Sequence, residues 1–266
     1  MHATTEGRHG AGHGNGSIVE RVLAGPRNTY ARLIGALFLV GFLTYGIGFT
    51  LVNSVISVPD FVSTIPAVQT TLLIGAFLML LNTVVDVGKG VLFFPILENH
   101  GKRTALVYLA AIVVQVVFLD IGVLFLLMLV PLGHIATEAG AAWAPGLGSL
   151  LTEANTIAYN VGQATLSFGG IFLCLLLFRT RLIPQVLAAL GIVGYMFHAA
   201  GSVAELFGLP LSLYLLIPGA FFEIGIAFWL IFKGFQPAAL ATGLNSRVVD
   251  DRSGPGDATA PVAVAS

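Results

Sequence analysis

The sequence predicts an all-α fold, a polytopic membrane helix bundle of about six transmembrane helices with both termini cytoplasmic. Three observations predict it. Hydrophobic residues make up 56% of the 266 and charged ones only 9%, with a mean hydropathy of +0.93, too few polar side chains to coat a water-soluble domain. Spanning a hydrocarbon layer of roughly 30 Å takes about 20 apolar residues in a helix, and about six such stretches follow one another here. Eleven of the twelve Lys and Arg residues fall in four groups, Arg8/Arg21/Arg27/Arg32, Lys102/Arg103, Arg179/Arg181 and Lys233/Arg247/Arg252, and the alternate gaps have none. Basic residues gather on the cytoplasmic side, so all four groups are expected inside. That orientation suits a multi-pass protein of the cell's inner (plasma) membrane.

The spans follow from charge, Pro and Gly boundaries. Span one runs about Leu33 to Val55, span two about Val68 to Leu97 and span three about Thr104 to Val130. Span four begins near Ile157 and ends at Phe178; the short Arg179 to Arg181 link leads to span five, Leu182 to about Phe207, with Pro184 in its first turn, where proline is tolerated. Span six is Leu211 to Phe232, and Pro218 inside it is a candidate kink. Short connections make spans two/three, four/five and five/six antiparallel neighbours. The segment from Leu132 to Thr156 is expected as a long outer loop, either packed along the interface through Trp143 or acting as a lid.

Residues 1–30 are rich in Gly and His and have no apolar core before a cleavage site, so they are expected to be a disordered cytoplasmic tail and not a signal peptide. The transmembrane domain is then 31–236, and the Ala-, Gly- and Pro-rich stretch 237–266 is a second disordered tail whose deletion should leave the fold intact. The single cysteine, Cys174, lies in an apolar run and forms no disulfide within the chain.

Residues three and four apart share a helical face, and four spans collect small and polar groups on one face. Span two aligns Gly75, Met79, Asn82, Asp86 and Lys89; span four aligns Asn160, Gln163, Ser167, Gly170 and Cys174. Span five aligns Ala188, Gly191, Gly194, His198, Gly201 and Glu205, and span six Gly219, Glu223 and Ala227. Lipid rejects such groups, so these faces should turn inward. At 1.5 Å per residue, Asp86, Lys89 and Glu223 fall roughly 12 to 16 Å from the inner face and Asn82, Asp120, Gln163 and His198 roughly 22 to 24 Å.

An unpaired charge at mid-membrane is costly, so Lys89 should neutralise Asp86 or Glu223, leaving one acid for His198, water or a proton. Asn82, Asp86, Lys89, Gln163, His198 and Glu223 are therefore the candidate site for a small solute, ion or proton, with Asp120 and Glu205 secondary. The same residues can be a structural or regulatory clasp that only orients helices. A membrane enzyme is a third reading, since Ser167 with His198 is the sole nucleophile–base pairing and one intramembrane histidine is too few for a hydrolytic metal site. No cofactor or metal signature is present, although His2, His9 and His13 share the N-terminal tail. A net charge of −1 averages both membrane sides, and nothing supports nucleic-acid binding. The partner is the lipid bilayer; Gly35, Gly41 and Gly48 form a face for neighbouring spans or for a homo-oligomer.

The closing stretch Pro218-Gly-Ala-Phe-Phe-Glu223-Ile-Gly-Ile-Ala-Phe-Trp229-Leu-Ile-Phe-Lys233-Gly234 resembles the end of a bacterial membrane family catalogued as domain of unknown function 4386. Ala31-Arg-Leu-Ile-Gly35 and the run from Arg179 through Pro184 to Tyr195 resemble its first-span entry and its basic link with Gly-containing fifth span. The resemblance extends over about Tyr30 to Gln236. It implies a six-span fold and brings no agreed activity.

Overall fold

The computed structural model describes residues 15–138 and 141–240, with side-chain surroundings from residue 29 onward. Five helices follow in order: α1 (Asn15–Ile56), α2 (Phe61–Ala136), α3 (Ala144–Thr180), α4 (Gln185–Leu206) and α5 (Ser212–Phe232). No strand occurs among the described residues. All five contain windows long and apolar enough to cross a membrane.

The 76 residues of α2 are two spans. Gly101 leaves the helical region (φ 178°, ψ 79°), and the chain folds back on itself there. The pairing across the hairpin fixes its register: His134 Nε2 lies 3.1 Å from Gln69 Oε1, Gln115 Nε2 bonds Asp86, and Gly90 faces Ile112. Each pair is centred near Gly101. The six expected spans are therefore present, with spans two and three as the limbs of one hairpin.

Each helix packs on its chain neighbours, and α5 returns to α1 to close the ring. Close approach depends on missing side chains. Gly48 of α1 and Gly75 of α2 face one another so tightly that a Cβ on either would sit 2.8 or 2.9 Å from the other's carbonyl oxygen. Gly194 of α4 comes as close to the backbone of Gly219 on α5, a Cβ on it falling 2.7 Å from the Gly219 Cα, whereas a Cβ on Gly219 would meet only ordinary contact. Gly35 packs on Ala227 of α5 and Gly41 beside Asn82 and Lys89, so the glycine face of α1 is used within the chain. Helix α2 illustrates the inward stripe: Gly75, Met79, Asn82, Asp86 and Phe93 are buried, whereas Phe77, Val84 and Val91 are exposed, as lipid-facing residues are in a membrane bundle.

Three expectations need correction. The long outer loop is short: α2 continues to Ala136 and α3 begins at Ala144, with Pro145 in its first turn and Gly148 packed on Val62. Residues 144–156 are thus the rigid start of a span and not a lid, because their small residues let α3 pack against α2. Exposed Trp143 immediately precedes it. Helix α1 begins at Asn15, within the stretch read as tail; His2, His9 and His13 lie outside the described residues. At the other end, the chain after Gln236 does not leave the bundle at once. Gly234 (φ 70°) turns the chain beyond α5, Phe235 packs edge-on to Phe93 at 6.0 Å, and Gln236 N–H donates to Leu182 O. A helical turn over residues 237–240 then buries Ala239 and places its carbonyl oxygen 3.0 Å from His100 Nε2. Residues 241–266 lie outside the described residues. The bundle has two apolar cores, one toward the end carrying Lys102, Arg179 and Lys233 and one toward the end carrying Asp60 and Glu138. Polar side chains lie where they meet.

Candidate intramembrane polar site

Asn82, Asp86 and Lys89 stand on one face of the first limb of α2, as their spacing requires. Lys89 Nζ is 2.6 Å from Asp86 Oδ1, with side-chain exposures of only 12% and 8%. The other carboxylate oxygen, Oδ2, accepts from Asn82 Nδ2 at 3.1 Å and from Gln115 Nε2 at 3.4 Å. Phe38 of α1 lies under the ammonium, 4.6 Å from Nζ to the ring centroid, adding a cation–π attraction that strengthens away from water. Asp86 thus has three side-chain partners, which is what a buried charge needs to avoid a large desolvation cost.

Glu223 of α5 completes the cluster. Its Oε1 accepts from the Tyr195 hydroxyl at 3.1 Å, and it lies within electrostatic range of both Lys89 and Asp86. The two carboxylates line one small cavity with Lys89, Tyr108, Gln115 and Tyr195, together with apolar Phe38, Ile112 and Leu166. Its volume is about 10 Å³, room for a single water. Gln115 is 2% exposed; its Oε1 has no hydrogen-bond partner.

The expectation that Lys89 pairs with Asp86 or Glu223 resolves in favour of Asp86, because the two are three residues apart on one helix. The remaining acid, Glu223, is held by Tyr195 where His198 or water was expected. Tyr195 stands on α4 one turn closer to the basic end, and its phenol spans the gap to α5. His198 and Gln163 are buried but neither lines the cavity. Asp120 is half-buried on the second limb of α2, turned toward Thr83 on the first limb, with Oδ1 unpartnered. Glu205 is a helix cap: its Oε2 accepts from Ser212 N–H at 3.1 Å at the start of α5, satisfying one of the orphan donors of that terminus. Ser167 Oγ is buried without a hydrogen-bond partner, so it is not bonded to His198. Among the described residues no three His, Cys, Asp or Glu side chains converge as metal ligands.

Sequence reasoning missed Gln115, Tyr108 and Tyr195. Tyr195 carried a usable signal, since it sits four residues after Gly191 and three before His198, on the stripe already drawn. Tyr108, Ile112, Gln115, Leu119 and Gly122 repeat at the same helical spacing on the second limb and are all buried, so Gln115 was the polar member of an inward face.

A ring of apolar helices around a carboxylate–lysine cluster defines a multi-pass membrane protein with polar side chains in its interior. The chain belongs to the family described as domain of unknown function (DUF4386), which it matches over residues 33–234. That stretch includes every residue of the cluster. Neither a curated protein nor a solved structure matches the chain.

Proposed function

We propose that this is an integral protein of a bacterial inner membrane that binds and releases a proton at Glu223, with the Asp86–Lys89 pair as a fixed counter-charge beside it. The observation that carries this reading is the mismatch of charge in one small cavity: two carboxylates and one ammonium. Asp86 is fully engaged by Lys89, Asn82 and Gln115, so the surplus acid is Glu223, to which the Tyr195 hydroxyl donates. A carboxyl group in such surroundings changes its protonation with small changes around it. A cavity of about 10 Å³ favours a proton over a larger solute.

The clasp reading keeps a specific observation of its own, the three partners of Asp86, and applies to that half of the cluster: Asn82, Asp86 and Lys89 hold the hairpin and α1 in register. Glu223 is the working half. Infrared difference spectra of the purified protein, titrated over about pH 4 to 9 where buried carboxyl groups ionise, test this. A carboxyl signal that vanishes in a folded Glu223→Gln variant is the expected result. A signal unchanged by that substitution, or none in the wild type, would overturn it. Proteoliposomes carrying an internal pH dye then measure whether the proton crosses.

A further inference from the structure

We infer that the cavity beside Glu223 is also a site for one dehydrated monovalent cation no larger than a water molecule, such as sodium, ligated by Glu223 and Gln115 in competition with the proton. The inference rests on Glu223 being the exchanging carboxylate, and three features of the cavity extend it.

The first is an unsatisfied oxygen. Gln115 donates its Nε2–H to Asp86, which directs the amide so that Oε1 is the atom left over, buried and without a partner. An orphaned buried acceptor is costly, and such groups in native proteins have a reason to be there. A proton on Glu223 adds a hydrogen-bond donor to the carboxyl group but no heavy atom to the cavity; a cation or a water adds one that can meet this oxygen from within it.

The second is charge. Asp86, Glu223 and Lys89 sum to −1 when ionised, so one monovalent guest neutralises the cavity, whereas a divalent ion would leave an uncompensated positive charge within the membrane.

The third is the donor set. The polar atoms that line the cavity beside the ammonium are carboxylate, amide and phenol groups, and no imidazole or thiol lines it. Oxygen ligands of this kind suit hard cations and not the softer transition metals. Lys89 stays on Asp86, held by the short ion pair and by Phe38, so the guest does not have to displace it.

The full-length protein in detergent tests this at fixed pH and ionic strength, with sodium chloride exchanged for choline chloride. Sodium should raise the melting temperature saturably, as any ligand of the folded state does. Glu223→Gln and Gln115→Leu should each abolish that rise. Where a variant fails to fold, the wild type still answers: competition for one carboxylate requires the midpoint of the Glu223 infrared titration to fall by about one pH unit for each tenfold increase in saturating sodium. A midpoint that titrates in choline medium and ignores sodium overturns the cation site, assigns the cavity to water, and leaves proton binding at Glu223 standing. A sodium-dependent rise that survives both substitutions overturns it as well. Absence of any Glu223 signal in choline medium defeats the proton-binding reading itself.

Discussion

Lys89 lies outside the four basic groups, and its surroundings explain how a membrane bundle retains it. Asp86 neutralises it, Phe38 covers it, and Asn82 and Gln115 occupy the carboxylate's second oxygen. Removing one partner of a buried ion pair leaves the other charge uncompensated, typically at about 3–5 kcal/mol, while replacing both is far cheaper. Lys89→Met should therefore lower stability by about that amount, and Asp86→Asn by less, because Glu223 remains beside the ammonium. The Asp86→Asn/Lys89→Met double variant should lose less than Lys89→Met alone. Thermal unfolding in detergent measures the cycle, and additive losses would mean that the two side chains do not form a unit. Tyr195 contributes differently, because Gly170 packs directly on its ring, where a Cβ would fall 2.7 Å from three ring carbons. The ring's position, and so its hydroxyl's reach to Glu223, is set by the absence of a side chain on α3.

At the scale of elements, the crossings of α1 with α2 and of α4 with α5 are backbone contacts that no rotamer change can relieve. Gly48→Ala should cost about 1–3 kcal/mol by overpacking, since the obstructing atom is the Gly75 carbonyl oxygen. Gly46, two residues earlier with nothing within 4 Å of its Cβ position, is the control: alanine there should be neutral or stabilising by up to about 1 kcal/mol. Equal losses at both positions would show that the crossing is not tight. The segment that follows α5 is a second element-level device. Phe235 is buried against Phe93, and residues 236–239 bond to Leu182 and His100, tying α5 to the α3–α4 link and the turn of the hairpin. Phe235→Ala should destabilise by about 3 kcal/mol and speed proteolysis at that end, and truncation before residue 235 should do more. A truncated protein with an unchanged melting temperature would contradict the packing.

Across the whole molecule, two apolar cores are joined at a polar waist, and both carboxylates reach that waist from helices on different sides of the ring. Burial within a closed ring is what allows ionisable groups at membrane depth. The charge segregation predicts the orientation of the assembly. Single cysteines at Lys102 or Arg181 should react with a membrane-impermeant maleimide only from the cytoplasmic side, and single cysteines at Asp60 or Glu138 only from the opposite side. The native Cys174 is fully buried and should stay silent in intact membranes. Labelling of both groups from one side would refute the topology.

Helical class and the six spans were legible in the chain itself, because each depends on local quantities, the length of an apolar run and the placement of Lys and Arg; the three-residue spacing of Asp86 and Lys89 offered their pairing only as one of two, with Glu223 as the other. The helical register also put Asn82 and Glu223 on inward faces. Which groups meet across helices was not readable, because that depends on the rotation and axial offset of each helix, which the glycine crossings set. Hence Tyr195 and not His198 reaches Glu223, Gln115 joins Asp86, and Glu205 caps α5. Local sequence determined which side chains turn away from lipid; only the packing of whole helices decided which of them enclose the cavity.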